Sequence, residues 1–413
     1  MAGLGMATAP AARLNGRAGA TLSDHRPDWH HGGFGLYVHW PYCKAKCPYC
    51  DFNSHVPRAA VNHAAWRQRL IAEMAHMRDL TGPRPVDTIF FGGGTPSLMA
   101  ASTVDGVIEA ADRLWGLRAG AEITLEANPT SVEAATFADY AGAGVNRVSI
   151  GVQALDDTDL RALGRTHSVA EALAAIEVAR FAFDRVSFDL IYARQHQTAD
   201  AWAAELDRAL AFGPDHLSLY QLTIEEGTRF AELFARGRLT VPEDGDAAEM
   251  YAITADRTAA AGLPAYEVSN HARPGAESRH NLIYWRYGDY AGIGPGAHGR
   301  LTLADGSRIA TETERDPAGW SATVARAGHA ITRRDSVAPG EQAIELALMG
   351  LRLAEGVDLD RYARLAGAPL PGDRIRMLED EGLVRREGAE RERLAVTETG
   401  RPILNAILLA LLA

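Results

Sequence analysis

The sequence predicts an α/β protein whose main domain is built from parallel strands, followed by a smaller C-terminal domain. From Gly33 onward, short apolar runs alternate with longer stretches of helical periodicity, which is typical of consecutive βα units. After about residue 300 this alternation gives way to helical patterns and one hairpin. Because βα crossovers are right-handed, a series of about six units curves into a barrel or part of one. A chain of 413 residues is also too long for one ordinary core.

Apolar runs of strand length mark the βα units in order. The predicted strands are Leu36–Trp40, Thr88–Phe91, Glu122–Glu126, Arg147–Ile150, Arg185–Leu190 and His216–Leu219, with Ala265–Val268 as a weaker seventh. The helices predicted between them include Val61–Arg78, Ser102–Leu114, Val132–Ala141 and Val169–Phe181. In barrels of this kind the chemistry lies at the C-terminal ends of the strands. Polar motifs that directly follow a strand are therefore the candidates for function.

The C-terminal region predicts a winged-helix-like α+β domain over residues 341–413. Its predicted elements are the helices Glu341–Leu353, Leu359–Leu365 and Gly372–Glu381, the hairpin Leu383–Thr397 and a last helix Gly400–Leu412. Such a fold is compatible with nucleic-acid binding. However, Asp373, Glu379, Asp380 and Glu381 make the would-be recognition helix acidic, which favours a packing or lid role.

Composition sets the remaining boundaries. Residues 1–32 are rich in Ala, Gly and Arg and predict a disordered tail, with an organellar transit segment as the alternative. We assign residues 33–300 to the barrel and 301–340 to a connecting segment. The net charge of −11 argues against nonspecific binding to nucleic acid or to anionic membranes. No apolar run approaches the roughly 18 residues needed to span a bilayer, so we expect a cytoplasmic protein.

The cysteines carry the clearest chemical signal. All three fall within eight residues, as Cys43, Cys47 and Cys50, which also favours a reducing compartment. Thiolates suit iron–sulfur clusters, zinc or copper(I). Three thiolates on one tight loop can ligate three irons of a cubane and leave the fourth iron open to another ligand. A zinc site of the Cys3His type, completed by His39 or His55, is the alternative. Structural zinc sites usually gather ligands from two places in the chain, so we favour the cluster.

The cysteine spacing resembles that of the radical S-adenosylmethionine (radical SAM) superfamily. The flanking segments 36–41 and 48–55 resemble the HemW-type heme chaperones, which are relatives of oxygen-independent coproporphyrinogen III oxidase. The resemblance covers residues 34–413. It implies a partial (β/α)6 TIM-like barrel, a 4Fe-4S cluster on the three cysteines, and S-adenosylmethionine bound to the open iron.

Motifs after the predicted strands match the cosubstrate contacts of this family. The glycine-rich segment 91–97 follows the second strand, where glycines let backbone amides approach a small polar ligand. The resemblance implies that S-adenosylmethionine is contacted by Tyr37, Gly93, Gly94, Thr95, Glu126, Gln153, Arg165 and Asp189. One segment departs from the family pattern. Residues 193–196 read Ala-Arg-Gln-His where Gly-Leu-Pro-Gly is usual, so a tight-turn signal is lost and we assign these residues no role.

A second constellation, near residue 280, predicts a heme site. The string from His280 to Trp285 resembles the segment that marks the heme-binding branch. Imidazole is a usual axial ligand of heme iron, and the rings of Tyr284 and Trp285 are suited to pack on the macrocycle. The alternative histidine ligands are His39, His55, His271 and His298.

Three functional classes compete. The first is a heme chaperone that passes heme to acceptor proteins, among them a membrane-associated acceptor, with a flavodoxin- or ferredoxin-like electron donor and no nucleic-acid partner. The second is oxygen-independent coproporphyrinogen III oxidase, a radical decarboxylase. Its branch carries a further Cys at the position of Phe52, and it lacks the string at residue 280, so we do not expect oxidase turnover. The third is a radical SAM enzyme that modifies nucleic acid, which the net acidity disfavours.

Overall fold

Six parallel strands in sequence order form the centre of the main sheet. The structure, a computed structural model, describes residues 27–388 and 391–412. The central strands are β1 (Phe34–Trp40), β2 (Val86–Gly93), β3 (Leu117–Ala127), β4 (Arg147–Gln153), β5 (Arg185–Tyr192) and β6 (His216–Gln221). Each strand pairs in parallel with the next, which is the (β/α)6 order that the sequence predicts.

Helices connect and cover these strands. They are α1 (His63–Thr81), α2 (Ala101–Trp115), α3 (Ser131–Ala134), α4 (Phe137–Gly142), α5 (Asp157–Ala162), α6 (Val169–Ala182), α7 (Ala199–Ala211), α8 (Arg229–Ala235) and α9 (Asp244–Ala260). Local signals set several of their starts. A capping box of Ser168 and Glu171 begins α6, and the Thr198 side chain accepts a hydrogen bond from the amide of Ala201 at the start of α7.

The sheet continues beyond the six central strands on both sides. On one side β7 (Asn270–Ala272) pairs antiparallel with β6. On the other side β8 (Asp289–Ile293) runs parallel to β1 and is followed by three antiparallel strands, so that the described residues form a sheet of eleven strands. These strands are β9 (His298–Thr302), β10 (Arg308–Thr313) and β11 (Ile331–Val337), and the helices of this part are α10 (Arg279–Trp285) and α11 (Pro317–Ala327).

Four predictions differ from the structure in detail. The weaker seventh strand, Ala265–Val268, is wrong, because the strand lies at Asn270–Ala272 and runs against its neighbour. The helix predicted over Val132–Ala141 is two short helices, α3 and α4. The segment predicted as a connector, 301–340, contains β10, α11 and β11 of the main sheet. Most of the predicted tail lies outside the described residues, but its last residues form a 3-10 turn, Asp28–His31.

Strand alternation separates an apolar outer face from a polar inner face. In β1, Leu36 and Val38 are fully buried in the core beneath the helices. The intervening Tyr37 and His39 face the interior of the barrel, because successive side chains of a strand point to opposite faces. The same alternation in β3 and β5 turns Glu126 and Asp189 inward. The barrel interior is therefore lined by polar and charged groups at the carboxyl ends of the strands.

Glu73 of α1 ties the start of the barrel to the end of the sheet. Its side chain is completely buried, and its carboxylate accepts hydrogen bonds from the amide of Gly294 at 2.8 Å, the indole of Trp320 at 2.9 Å and the amide of Ala330 at 2.9 Å. Burial raises the pKa of Glu73 to about 7, against the opposing effect of these three donors.

The C-terminal region folds around a second core. Its elements are α12 (Pro339–Gly350), β12 (Val357–Asp358), α13 (Leu359–Ala366), α14 (Gly372–Asp380), β13 (Val384–Glu387), β14 (Arg393–Val396) and α15 (Leu404–Leu412). The three strands form a small sheet in the order β12-β14-β13, as in a winged-helix arrangement. Arg361 joins this region to the barrel, with hydrogen bonds to Asp28 and to the carbonyl oxygen of Tyr287. Among the helices described, none has the length and apolar character required to cross a membrane.

Candidate functional site

The three cysteines lie on a closed loop directly after β1. We call residues 41–55 the cysteine loop. The amide of Cys43 donates to the carbonyl of His55 at 2.9 Å, and the amide of His55 donates to the carbonyl of Pro41 at 2.7 Å. These two bonds fasten the ends of the loop to each other. Cys43, Cys47 and Cys50 form no disulfide, and all three partly buried residues line one cavity.

All three cysteines belong to the lining of this one cavity. Within the residues that the structure describes, no three side chains of His, Cys, Asp or Glu are grouped to hold a single metal ion. A zinc site of the Cys3His type requires such convergence. A cubane cluster takes one thiolate for each iron, which keeps the sulfur atoms apart. The arrangement is therefore compatible with a cluster.

Strand ends supply the rest of this cavity, which we call the cysteine chamber. Besides the three cysteines its main lining residues are Gly93, Gly94, Thr95, Glu126, Asn128, Gly151, Gln153, Arg165 and Asp189. It thus brings together every residue predicted from the sequence to contact S-adenosylmethionine except Tyr37, which lies beyond the wall formed by Gly93 and Glu126.

Two polar side chains donate to cysteine sulfur. The Thr95 hydroxyl donates to Cys43 Sγ at 3.3 Å, and Arg165 Nη1 donates to Cys47 Sγ at 3.4 Å. Asn128 connects the two donors, since its amide donates to Thr95 at 3.2 Å and its oxygen accepts from Arg165 Nη2 at 2.5 Å. We did not predict a role for Asn128. The signal was its position two residues after Glu126, where β3 ends.

Arg165 also has an unused donor. Its Nε is buried and has no hydrogen-bond partner in the described structure. A buried donor without a partner is costly unless a ligand or water satisfies it. The chamber therefore fits an anionic group beside Arg165.

Two carboxyl groups, those of Glu126 and Asp189, line the chamber. Burial, and secondly the nearby charge of Asp189, raise the pKa of Glu126 to about 8. Burial also raises the pKa of Asp189 to about 6, although Ser218 and Ser149 donate hydrogen bonds to it. Two carboxyl groups that resist ionisation together are stabilised by a cation placed between them. The chamber is thus suited to a ligand that carries both a negative and a positive group.

Backbone geometry explains the glycines and marks one strained residue. A Cβ at Gly94 would lie 2.8 Å from the carbonyl oxygen of Tyr42 and 2.9 Å from that of Trp40. Gly94 therefore allows the end of β2 to pack on the start of the cysteine loop. Gln153 has φ of 73° at an irregularity in the pairing of β4 with β5. A left-handed non-glycine residue at a chamber wall is typical of a functional site.

A second chamber adjoins the first through Phe52, Gly93 and Glu126, which line both. We call it the tyrosine chamber. Its remaining lining residues are Tyr37, His39, Asn53, Tyr284, Tyr290, Gly296, His298 and Arg315. The three tyrosines and Phe52 give it an aromatic wall, and Arg315 adds one positive charge.

The three residues predicted to bind heme have different surroundings. Only 1% of His280 is exposed, and its ring nitrogens lie 2.6 Å from Thr88 Oγ1 and 2.8 Å from the Tyr284 hydroxyl. Neither nitrogen is free to ligate iron, so the predicted ligand role requires a rearrangement. Tyr284 lines the tyrosine chamber, whereas Trp285 lines a separate cavity against the C-terminal domain.

The alternative histidines differ in their accessibility. His39 and His271 are buried, and His39 lies 3.0 Å from both the Tyr37 hydroxyl and the carbonyl of Asn53. His55 Nε2 lies 3.1 Å from the side-chain oxygen of Asn53. His298 lines the tyrosine chamber with a side chain that is 62% exposed. Of the five histidines considered, His298 presents the most accessible imidazole.

The segment that departs from the family pattern keeps a tight turn. Ala193 and His196 occupy the two positions where glycine is usual, and both have left-handed backbones, with φ of 56° and 63°. Arg194 is buried between them and pairs with Asp159 and Glu205, each at 2.6 Å. The turn after β5 is therefore formed without glycine, at the cost of backbone strain.

A partial barrel with three cysteines on the loop after its first strand defines a radical SAM protein, and the comparisons agree. The model of the radical SAM superfamily matches residues 37–209. A bovine (Bos taurus) protein, radical S-adenosyl methionine domain-containing protein 1, mitochondrial, is 40% identical over 92% of this chain and 87% of its own length. The heme chaperone HemW of Escherichia coli is 37% identical over 92% of this chain and 98% of its own. The chain belongs to the radical SAM superfamily and, within it, to the HemW family.

The solved structures agree on the fold. Coproporphyrinogen III oxidase (HemN) from Escherichia coli superposes with a TM-score of 0.75 over 92% of both chains, at 21% sequence identity. At this identity the similarity defines the fold alone. The partial barrel that the sequence predicts is confirmed.

Proposed function

We propose that this chain is a heme-binding radical SAM protein that carries heme to acceptor proteins. The observation that carries the proposal is the pair of adjoining chambers. One contains three thiols with charged strand-end side chains, and the other contains aromatic side chains with an accessible imidazole. Relatives named heme chaperone, at 37% and 34% identity over 92% of this chain, support the heme part.

Cys43, Cys47 and Cys50 would hold a 4Fe-4S cluster. The donor set suits the group, because three thiolates leave one iron open. Thr95 and Arg165 donate to two of the sulfur atoms, which stabilises the thiolate form and fixes its orientation. When bound and reduced, the cluster supplies the electron that cleaves the sulfonium carbon–sulfur bond of S-adenosylmethionine.

The cysteine chamber would bind S-adenosylmethionine by its charges. The buried Nε of Arg165 is suited to the carboxylate of the cosubstrate. Glu126 and Asp189 are suited to its positively charged half, because a cation relieves their mutual repulsion. We retain Tyr37 as a contact of S-adenosylmethionine at the boundary of the two chambers, since it lines the tyrosine chamber together with Glu126.

The tyrosine chamber would hold heme. Tyr284 and Tyr290 offer aromatic surface to the macrocycle, Arg315 offers a partner for a propionate, and His298 offers an imidazole for the iron. His280 would act through Tyr284, whose hydroxyl lies 2.8 Å from its ring. In this arrangement His280 orients the Tyr284 side chain, and His298 supplies the ligand to the heme iron.

The partners and the compartment are also part of the proposal. The partners are a heme acceptor protein, with a membrane-associated one included, and a one-electron donor. We propose the cytoplasm as the location, while the animal relatives are named as mitochondrial proteins. Nucleic acid is not proposed, because α14 of the winged region carries Asp373, Glu379 and Asp380.

Titration of the anaerobically reconstituted protein with heme and, separately, with coproporphyrinogen III tests the proposal. We expect about one heme per chain with a Soret band that weakens in His298→Ala, and no decarboxylation of coproporphyrinogen III when S-adenosylmethionine and reductant are present. His280→Ala should weaken the band less, and His280→Gln is the matched variant that retains a polar side chain. Rapid decarboxylation by the wild type would instead make the protein an oxidase.

A further inference from the structure

The chain contains two lysines, and both lie in the cysteine loop. The other 40 of its 42 basic residues are arginine. Lys44 and Lys46 stand on either side of Ala45, in the three-residue spacer between Cys43 and Cys47. A chain that uses arginine at all other Lys or Arg positions has lysine at these two positions.

The loop presents these lysines to solvent together with apolar side chains. Lys44, Ala45 and Lys46 are exposed, and Phe52 and Val56 are 57% and 51% exposed. We call these five residues the lysine patch. Phe52 and Val56 add large apolar side chains to this exposed part of the loop, and Phe52 also lines the two chambers.

The internal contacts of the lysines leave their charges available. Lys44 Nζ lies 3.6 Å from Glu133, while the Lys44 side chain remains 48% exposed. Lys46 Nζ lies 3.5 Å from the carbonyl oxygen of Ser54, which is at the limit of a hydrogen bond. Glu133 is buried and has other donors, among them the amide of Asn128 at 3.0 Å.

The patch is a positive region on an acidic protein. The net charge of the chain is −11, whereas residues 44–58 contain three basic side chains and one acidic side chain, Asp51. A negatively charged partner is repelled by the protein as a whole and attracted at this loop. Such an arrangement directs the encounter to one place and raises its rate.

The lysines of the patch also lie between two of the three cysteines along the chain. Ala45 is two residues from both Cys43 and Cys47, so its Cα lies within about 7.6 Å of each of their Cα atoms. A protein that touches the patch is therefore separated from the sulfur ligands by little more than the loop backbone. The proposed cluster requires an electron from outside the chain, and this is the short path to it.

The choice of lysine fits a brief encounter. A guanidinium forms bidentate pairs with carboxylates, whereas an ammonium is a compact, strongly hydrated point charge. Complexes between electron-transfer partners are small and weak. A carrier that must dissociate after each electron is better served by lysine, which attracts the partner without forming a fixed pair.

We propose that the lysine patch is the docking surface for an acidic one-electron carrier protein. The proposal rests on the cluster of the proposed function, but it holds whether the chain carries heme or converts a substrate. The electron passes from the docked carrier to the cluster, so the carrier is oxidised by one electron and the cluster is reduced by one.

Stopped-flow reduction of the reconstituted protein tests the docking surface. The probe is flavodoxin hydroquinone, and photoreduced deazaflavin serves as a small uncharged reductant. In Lys44→Gln/Lys46→Gln we expect the second-order rate with flavodoxin at low salt to fall about tenfold, and the rate with deazaflavin to stay unchanged. Lys44→Arg/Lys46→Arg should keep the association rate. Arg326→Gln/Arg376→Gln, which removes exposed charges elsewhere, should change neither rate.

The possible results separate the two proposals. A preparation without cluster absorption contradicts the proposed function. With the cluster present, equal flavodoxin rates in wild type and Lys44→Gln/Lys46→Gln overturn the docking surface. A loss with both reductants also overturns it, because the lysines then act on the cluster itself. Failure of flavodoxin and of a plant-type ferredoxin to reduce the wild type, where deazaflavin succeeds, overturns it as well.

Discussion

The cysteine chamber and the tyrosine chamber share a wall but are assembled in different ways. The first takes its residues from the ends of consecutive strands, so each side chain is positioned by the strand before it. The second combines Tyr37 and Phe52 with residues from 284 to 315, and it exists only where β8 pairs with β1. The comparison indicates that the chamber proposed for the cluster is encoded by successive βα units, whereas the cavity proposed for heme depends on the extension of the sheet beyond β1.

The largest expected effect is the loss of one thiolate. Cys43→Ala should lose the iron, the sulfide and the brown colour, because each cysteine would hold its own iron in the proposed cluster. If the chambers act independently, heme affinity should remain within about twofold of the wild type. Iron and sulfide analysis and a heme titration of the same preparation measure both quantities. A parallel loss of heme binding would show that the two chambers form one site.

The second effect concerns Gly94, which lines the cysteine chamber where β2 meets the cysteine loop. Gly94→Ala places a methyl group against backbone oxygen atoms at 2.8 and 2.9 Å and should reduce the free energy of unfolding by about 1–3 kcal/mol. It should also weaken the binding of S-adenosylmethionine. Gly142→Ala is the control, because no atom lies within 4 Å of its added Cβ. Urea unfolding with calorimetric titration measures both changes. Equal stability of the two variants would contradict the close packing of β2 on the cysteine loop.

The third effect is a shift in pH dependence that should be confined to the cysteine chamber. The positively charged sulfonium binds best when Glu126 is ionised, so affinity should rise as the pH increases through the Glu126 pKa of about 8. Asp189→Asn removes a negative neighbour and should move this midpoint to lower pH. Burial remains, so the midpoint should stay above the ordinary value for a glutamate. Titrations of S-adenosylmethionine on either side of that pH measure the midpoint, and Glu126→Gln should abolish the dependence. If the midpoint does not move in Asp189→Asn, the charge of Asp189 does not affect the pKa of Glu126.

The smallest effect concerns the turn beside the chamber. His196→Gly should stabilise the protein by about 1 kcal/mol, because glycine adopts a left-handed backbone without strain. Ala193→Gly should stabilise it less, because this change also removes a buried methyl group. Ala201→Gly, at an exposed position of α7, should destabilise by about 1 kcal/mol. Urea unfolding of the three variants gives the comparison. Destabilisation by all three would mean that the turn is not strained.

The cysteine chamber was accessible from the sequence because its residues follow strands in a fixed order. Glu126 and Asp189 each lie at the end of a predicted strand, and the six strands themselves are confirmed. Tyr290 and Arg315 could not be predicted as chamber residues, because only the pairing of β8 with β1 and the strands beyond it bring them to Tyr37. His280 was chosen for its motif. A motif does not reveal that the side chain is buried or that hydroxyl groups of Thr88 and Tyr284 occupy both ring nitrogens.

The three hydrogen bonds of Glu73 have a consequence for folding during synthesis. This residue is on the first helix of the barrel, but its three hydrogen-bond donors belong to residues 294, 320 and 330. While the chain emerges from the ribosome, α1 carries a carboxylate that cannot be buried with its partners until residue 330 has left the exit tunnel. The barrel therefore cannot mature from its N-terminal half alone. A fragment that ends within the six parallel strands would leave the Glu73 carboxylate of α1 without its three hydrogen-bond donors.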